Sequence, residues 1–272
     1  MKKHMSTIFL VLILVVGLSL MLYPTVADWW NSLHQSYAIS NYESIMANMS
    51  DEDYSYIFDE AMVYNNQLRQ LSMPMLHYDQ VEGYEDYLNV TGNGIMGYIQ
   101  IPKIDVKLPI YHGTSEGVLQ IAVGHIQGTS LPTGGESTHC ALSAHRGLPS
   151  SRLFTDLDKM EVGDTFTMTV VDRLMTYEVD QILIVDPADT QALQVVEGED
   201  YCTLVTCTPY GINSHRMLVR GHRTENAEVK QLVRVTADAI QMEPLLVAPM
   251  LAAPILLILL IIVLIPKRKH RR

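Results

Sequence analysis

Apolar residues are concentrated in two uncharged runs, one near each end of the chain. The first extends from Thr7 to Tyr23 and the second from Leu245 to Ile265. Each run approaches the roughly 20 apolar residues that a helix needs to cross a bilayer. Pro249 and Pro254 interrupt the second run, but proline is tolerated in membrane-spanning helices. The pattern predicts two membrane spans, although the small residues at 25–27 also allow the first run to be a cleaved signal peptide.

The segment after the first run has the spacing of helices. From Trp29 to Met49 apolar residues recur mostly three or four positions apart, which predicts an amphipathic helix. Ser50 and Asp53 match a capping box, so a second helix is expected to begin there and to continue the apolar stripe to Leu68. We interpret both stripes as surfaces that pack against the rest of the protein, and a partner-binding face is the alternative.

From Gly92 onward the pattern changes to short β-branched runs separated by Gly, Pro, Asn and Asp. Many short strands with turn residues between them predict an all-β barrel or sandwich. The runs are Gly97 to Tyr111, Asp164 to Asp186, Tyr201 to Cys207 and Arg216 to Arg223.

The distribution of charge predicts the topology. Two lysines precede the first apolar run and five basic residues follow the second, whereas 12 of the 19 basic residues and all 30 acidic ones lie between the runs. Because basic residues mark cytoplasmic flanks, both ends are expected inside the cell and the middle outside. The middle carries 12 positive and 30 negative charges, a net charge of −18. This charge argues against nucleic acid as a partner, since phosphates require the opposite sign.

The chain contains three cysteines, at Cys140, Cys202 and Cys207. An odd number in a domain outside the cell leaves at least one thiol free, which suggests a nucleophile. We interpret Cys140 and Cys202 as small buried apolar residues, and a redox pairing is the alternative. Neither His139 with Cys140 nor Cys202 with Cys207 has the spacing of a structural zinc site, so no metal or cofactor is expected.

Two clusters carry candidate chemistry, at Thr138–Gly147 and Thr203–Arg223. In the second, a predicted strand ends at Cys207, turn residues follow, and a new strand opens near Arg216. A strand end and the next strand start can meet at the same rim of a sheet. A cysteine nucleophile needs a base or cationic partner and a donor for the oxyanion, and these clusters supply both residue types.

These residues resemble a known family. TLVTC at Thr203–Cys207 resembles the TLxTC signature of sortases, with Cys207 at the nucleophile's place. HRG at His145–Gly147 resembles the family's catalytic histidine segment, and Arg216 occupies the place of its essential arginine. The stretches Ile101–Thr114, Gly128–Pro149 and Leu153–Leu157 are similar to class C sortases in particular. The resemblance covers roughly Gly92 to Arg223, about half of the chain.

The resemblance implies an eight-stranded sortase β-barrel that cleaves an LPxTG-like signal between Thr and Gly. Cys207 would form a thioester, and His145 would protonate the leaving amine and deprotonate the incoming one. Arg216 would donate hydrogen bonds to the substrate or the oxyanion, and Thr206 is a candidate to line the oxyanion site. In class C the incoming amine is usually a lysine of a pilin subunit. The implied partners are LPxTG-type surface proteins or pilins, and the bilayer through two spans.

The expected organisation combines these patterns with the resemblance. Its segments are a cytoplasmic N-terminus at 1–6, a transmembrane or signal-anchor helix at 7–23, a helical N-terminal and lid region at 24–91, the sortase barrel at 92–224, a connector at 225–244, a transmembrane helix at 245–266 and a basic cytoplasmic tail at 267–272. The protein is accordingly expected in the cell membrane, with its catalytic domain outside the cytoplasm.

Several residues compete with those assignments. Arg220 and Arg223 are alternatives to Arg216, and His215 and His222 are alternatives to His145. The family pattern favours Arg216, nine residues after Cys207, and His145. A further stretch, LPTGG at 131–135, has the letters of a sorting signal, but we interpret it as a turn between strands.

One segment departs from the class C pattern. Class C sortases usually carry a lid with an Asp-Pro-aromatic anchor, and Leu71–Asp79 contains no such tripeptide. We therefore expect a lid that is absent, short or weakly anchored. Met73, Met75, His77 or Tyr78 could substitute as a plug, and simple surface packing is the preferred interpretation.

Three other functions are compatible with the residues. A housekeeping-type sortase would attach proteins to peptidoglycan, and a membrane-bound cysteine protease would only hydrolyse its acyl-enzyme. A barrel with a dead site would be a scaffold, but it predicts a degraded motif, whereas His145, Cys207 and Arg216 are all present.

Overall fold

The computed structural model describes residues 2–226, with side chains from residue 9 onward. Nearly all of the predicted connector at 225–244, the predicted span at 245–266 and the tail at 267–272 lie outside the described residues. The larger of two compact units comprises Ala27–Glu228, and it contains every contact discussed below.

Four α-helices are present in the described residues. They are α1 at Lys2–Met46, α2 at Asp51–Arg69, α3 at Pro74–His77 and α4 at Glu116–Leu119. The predicted first span and the amphipathic helix after it are one continuous helix, because Pro24 lies within α1 without ending it. From Phe9 onward α1 is long and apolar enough to cross a membrane, with a mean hydropathy of 2.4 in its most apolar window.

The predicted capping box of α2 is confirmed. The Asp53 backbone N–H donates to the Ser50 hydroxyl at 3.3 Å, and the Ser50 backbone N–H donates to the Asp53 carboxylate at 3.1 Å. Each bond satisfies an amide that helix geometry leaves without an intrahelical partner. Phe58 and Tyr64 on α2 and Tyr42 on α1 are buried in the main core. The apolar stripes therefore pack against the barrel, as predicted.

Eight strands close into a barrel, as predicted. They are β1 at Ile95–Ile101, β2 at Val106–Tyr111, β3 at Val123–His125, β4 at Thr138–Ser143, β5 at Thr165–Val170, β6 at Arg173–Val185, β7 at Asp200–Thr208 and β8 at His215–Thr224. Their order around the barrel is β1, β2, β3, β4, β7, β8, β6, β5. The β2–β3 and β4–β7 pairs are parallel and the other pairs are antiparallel. This order places β7 between β4 and β8.

Strand alternation gives β4 and β7 two different faces. Cys140 and Leu142 on β4, and Cys202 and Leu204 on β7, point into the main core. The intervening residues point outward because successive side chains on a strand face opposite ways. The outward residues include an apolar group that we call the outer cluster, which comprises Ala141, Leu193, Val205 and Leu218.

Candidate active site

Cys207 and Arg216 are direct neighbours on β7 and β8. The antiparallel register pairs Cys207 with Arg216, one position before the strands end at Thr208 and His215. The chain turns back between them, and the Ile212 and Asn213 amides donate to the Pro209 carbonyl at 3.1 and 3.0 Å. Cys207 is partly exposed and lies two positions from Val205 on the outward face. The strand end, loop and strand start therefore meet at one rim, as expected from the sequence.

His145 follows the end of β4, the other strand that neighbours β7, by two residues. Ser143, the last residue of β4, is in register with Val205 of β7, and the Ala144 amide donates to the Val205 carbonyl at 3.2 Å. Continuing this parallel register by two residues brings His145 level with Cys207. The imidazole is 29% exposed, and its Nε2 lies 3.9 Å from Oε2 of Glu116 on α4.

The Thr206 hydroxyl faces away from the nucleophile. It donates to the Ala144 carbonyl at 2.8 Å, and the side chain is 1% exposed. This hydrogen bond joins the residue before Cys207 to the residue before His145. The hydrogen bond therefore acts on the spacing between β7, which carries Cys207, and the backbone that leads from β4 to His145.

The Arg216 guanidinium is hydrogen-bonded to the chain just before it, at the end of the β7–β8 loop. Its Nη1 donates to the Asn213 and His215 carbonyls at 3.2 and 3.1 Å. Both carbonyls belong to exposed residues, so water can replace the guanidinium there. Arg216 can therefore exchange these bonds for bonds to a substrate without leaving a buried group unsatisfied.

The competing arginines and histidines lie farther from Cys207 or are bound elsewhere. Arg220 pairs with Thr203, four positions away along β7, and binds Asp180 through two bonds of 3.0 and 2.7 Å. Arg223 lies farther along β8, with its guanidinium 5.6 Å from the Tyr177 ring centre. His222 is in register with Tyr201, six positions from Cys207.

Among the competing residues, His215 lies nearest to Cys207 in the strand register. It pairs with Thr208, and its Nε2 lies 3.8 Å from the Asp186 carboxylate. Because neighbouring residues on a strand face opposite ways, its side chain does not share the face of Arg216.

His139 holds the β6–β7 loop against strands β4 and β7. Its Nδ1 lies 2.8 Å from the Gln194 carbonyl, and its Nε2 lies 2.7 Å from the Thr203 hydroxyl. Burial lowers the pKa of His139, which favours the neutral ring. The carbonyl can only accept, so Nδ1 carries the proton and Nε2 accepts from Thr203. This link ties the β6–β7 loop, which contributes Leu193 to the outer cluster, to β4 and β7.

The segment at the predicted lid position covers part of the outer cluster. Met75 on α3 packs against this cluster, whereas Met73 is 52% exposed and Tyr78 packs on the main core. Gly128 has a φ of +94°, and a Cβ built there would lie 2.9 Å from the Met75 Cα, so the two backbones are in close contact. A cavity of about 590 Å³ lies between this segment, the β3–β4 loop and the β6–β7 loop.

Helix α1 supports the loops beside the site. The Asn31 side-chain amide donates to the Ser150 carbonyl at 2.8 Å, and the Arg152 backbone amide donates to the Asp28 carboxylate at 2.8 Å. The Gln35 amide donates to the Ile121 carbonyl at 2.7 Å, just after α4. Sequence inspection missed these contacts, since each of them joins a polar side chain to a backbone group more than 80 positions away and leaves no local pattern.

Comparison with known proteins agrees with this fold. The family model described as the sortase domain matches residues 99–224. Sortase D of Bacillus subtilis is 30% identical over 148 residues, which cover 53% of this chain and 71% of that protein. The closed eight-stranded barrel and the family match define a β-barrel cysteine enzyme, and Cys207 and Arg216 lie in register at one rim of this barrel. The chain belongs to the sortase family, whose members are cysteine transpeptidases.

The similar solved structures are class C sortases. Sortase C1 of Streptococcus agalactiae is 51% identical with a TM-score of 0.64, covering 70% of this chain and all of that one. Sortase C of Streptococcus pneumoniae, described with its pilin substrate specificity, is 40% identical with a TM-score of 0.62, covering 70% and 97%. Sortase C of Clostridium perfringens, solved with the C-terminal cell wall sorting motif, is 41% identical with a TM-score of 0.61, covering 70% and 100%.

Proposed function

We propose that this sortase cleaves an LPxTG-like sorting signal between Thr and Gly and transfers the acyl group to an amine, a lysine of a pilin subunit. The observation that carries the proposal is the strand register, in which Cys207 pairs with Arg216 of β8 while β4, which ends two residues before His145, lies on the other side of β7. The Streptococcus pneumoniae relative is described with a pilin substrate, and the Clostridium perfringens relative was solved with a cell wall sorting motif. Both descriptions support the same substrate class for this chain.

The proposed reaction has two halves, formation of the thioester and its transfer to an amine, and each of the three side chains acts in both. The Cys207 sulfur attacks the Thr carbonyl carbon, and the bond to the Gly nitrogen breaks to leave a thioester. His145 gives a proton to the departing Gly amine and later takes one from the incoming lysine amine. Arg216 donates hydrogen bonds to the substrate carbonyls and to the oxyanion formed in both halves.

The outer cluster is the proposed floor for the apolar part of the signal. Val205 and Ala141 are buried and lie on the outward face that leads along β7 to Cys207. An extended peptide on this floor would bury its Leu and Pro side chains and present the Thr carbonyl at the rim. Met75 occupies the same surface, so α3 has to move for the signal to bind.

We propose a membrane-anchored location with the barrel outside the cytoplasm. The apolar window within α1, the net charge of −18 between the terminal basic groups, and Trp29 and Trp30 just after the apolar run support this topology. Tryptophan is enriched at membrane interfaces because its ring has an apolar body and a polar N–H. A second span at 245–266 is part of the proposal.

The experiment that tests the function uses the full chain in detergent micelles. An LPxTG-containing peptide is incubated with a lysine-bearing peptide, and the products are weighed. A branched product joining Thr to the lysine Nε supports the proposal. Hydrolysis alone with every amine tried would instead identify a cysteine protease, and exclusive use of a peptidoglycan cross-bridge amine would identify the housekeeping type.

Thr206 is proposed to position the strands, and this role gives a first prediction. We expect Thr206→Val to lower kcat/KM about tenfold, because it removes the bond to the Ala144 carbonyl while keeping the side-chain shape. The matched variant Thr206→Ser keeps the hydroxyl and should retain most of the activity. Peptide cleavage kinetics measure both, and equal activity of the two variants would contradict the role.

The contact of Met75 gives a second prediction. We expect Met75→Glu to raise the rate of Cys207 alkylation roughly tenfold, because a carboxylate is costly to keep in the outer cluster and the lid segment opens. Met73→Glu is the matched control two positions away, since Met73 is already exposed. Mass mapping of the alkylated Cys207 peptide measures the rates. Identical rates in the two variants would show that the segment does not restrict access.

A further inference from the structure

Two cysteines that the reaction does not use face each other inside the barrel. Cys140 on β4 and Cys202 on β7 are partners in the parallel register. Their side chains belong to the main core, and the residues are 3% and 0% exposed. They are 62 positions apart in the sequence, so only the order of strands in the barrel brings them together.

The positions of these strands suit a disulfide. Neighbouring strands lie about 4.8 Å apart, which falls within the Cα separation of about 4.4 to 6.8 Å that disulfides require. Registered residues of parallel strands point their side chains to the same side. Because both side chains face the interior of a closed barrel, curvature brings their Cβ atoms closer together than their Cα atoms. A short Cβ separation is the remaining requirement for an S–S bond.

Other pairings of the three cysteines are excluded by the same geometry. Cys202 and Cys207 are five positions apart on one strand, so they lie on opposite faces and about 17 Å apart. Cys140 is level with Cys202 and is therefore equally far from Cys207. A bond between Cys140 and Cys202 leaves Cys207 as the free thiol, which accounts for the odd number of cysteines.

The two sulfurs have different surroundings. Burial raises the pKa of Cys202 well above its ordinary value, and the adjacent Cys140 raises it further. The Cys202 sulfur also lies 3.6 Å from the Met168 sulfur. Burial raises the pKa of Cys140 as well, but hydrogen bonds with Cys202 and His125 outweigh this effect and lower the pKa to about 6.

We propose that Cys140 and Cys202 are a disulfide site that joins β4 to β7. An external disulfide, R–S–S–R, supplies the oxidising power. The Cys140 thiolate attacks one sulfur and releases R–S⁻, and the Cys202 thiolate then attacks the mixed disulfide and releases a second R–S⁻. The two thiol protons go to the released thiolates, so the protein loses two hydrogens and the external disulfide becomes two thiols.

The bond would link β4, which ends two residues before His145, to β7, which carries Cys207. Cys140 and Cys202 are both five positions before these residues along parallel strands, so the bond would stabilise the strand pairing that sets the site without touching the nucleophile. Closing a loop of 62 positions removes much of the conformational freedom of the unfolded chain. The expected effect of oxidation is a rise in Tm of roughly 5 to 15 °C.

The test counts thiols in the full-length protein. The protein in micelles is equilibrated with glutathione disulfide and glutathione, in a low urea concentration that permits transient opening, then denatured in an alkylating reagent and mapped by mass. We expect one alkylatable thiol at Cys207, a linked pair of peptides containing Cys140 and Cys202, and three alkylated thiols after reduction. Three thiols before reduction at every glutathione ratio would overturn the proposal.

Cysteine variants show whether the reductant-dependent change in Tm comes from the Cys140–Cys202 disulfide. The double variant Cys140→Ala, Cys202→Ala should have a Tm that does not respond to reductant, whereas the parent should lose stability on reduction. Cys207→Ala should retain the reductant-dependent shift, because it keeps the pair. The same shift in the parent and the double variant would contradict the site. Peptide transfer is assayed separately, so failure of the disulfide and failure of the proposed transpeptidation are distinguished.

Discussion

Replacing Cys207 with alanine is expected to abolish peptide cleavage and transfer, by roughly 10⁴-fold or more, because no other group at the rim can form the thioester. Cys207 is partly exposed on the outward face at the end of β7, so a smaller side chain there leaves no cavity in the main core. The variant should therefore fold normally. Its lost activity can then be assigned to the missing sulfur.

Two measurements check the Cys207 prediction. Intact mass after mixing with substrate should show an acyl-enzyme for the parent and none for Cys207→Ala. Cys202→Ala is the matched control on the same strand, and it should keep the acyl-enzyme while lowering Tm, since Cys202 is fully buried. Cleavage by Cys207→Ala at the rate of the parent would disprove its role as the nucleophile.

Arg216→Lys is expected to lower kcat about 10² to 10³-fold, even though it preserves the positive charge. An ammonium group lacks the planar fork that can hold two oxygens at once. Arg216 is in register with Cys207, its present partners are two exposed loop carbonyls, and its proposed role is to hold the oxyanion with this fork. The loss should appear mainly in kcat, because the oxyanion exists only in the transition state and the intermediate.

The control for Arg216 lies on the same strand and face. Arg220 makes two bonds to Asp180 and is in register with Thr203, far from the sulfur. Arg220→Lys should lower Tm and leave kcat within about twofold of the parent, because it weakens a structural ion pair only. Equal losses of kcat in the two lysine variants would show that Arg216 acts through general stability.

The catalytic assignments of Cys207, His145 and Arg216 are predictions from the sequence. The structure supplies the reason why they form one cluster. Arg216 follows Cys207 after a short loop, so the sequence suffices to bring these two together. His145 is 62 positions from Cys207, and only the parallel pairing of β4 with β7 makes them neighbours.

Other features depended entirely on the barrel. The expectation of a lid that is absent, short or weakly anchored followed from the lack of an Asp-Pro-aromatic tripeptide in the sequence. The packing of Met75 against the outer cluster could be seen only in the folded structure. The interpretation of Cys140 and Cys202 as buried residues agrees with their exposure, while their direct pairing became visible only in the strand order. Thr206 was expected near the oxyanion, and its hydroxyl is directed instead to the Ala144 carbonyl.

By itself, the sequence determined the local structure and the family. Helix caps, apolar periodicity and turn residues act over a few positions, so the capping box of α2 and the strand-rich half were predictable. Only the tertiary structure decided which strands are neighbours and which residues α1 supports. The β4–β7 pairing and the α1 contacts join positions more than 60 apart. The free energy that selects them comes from closing the barrel and burying its core, which no short stretch of sequence contains.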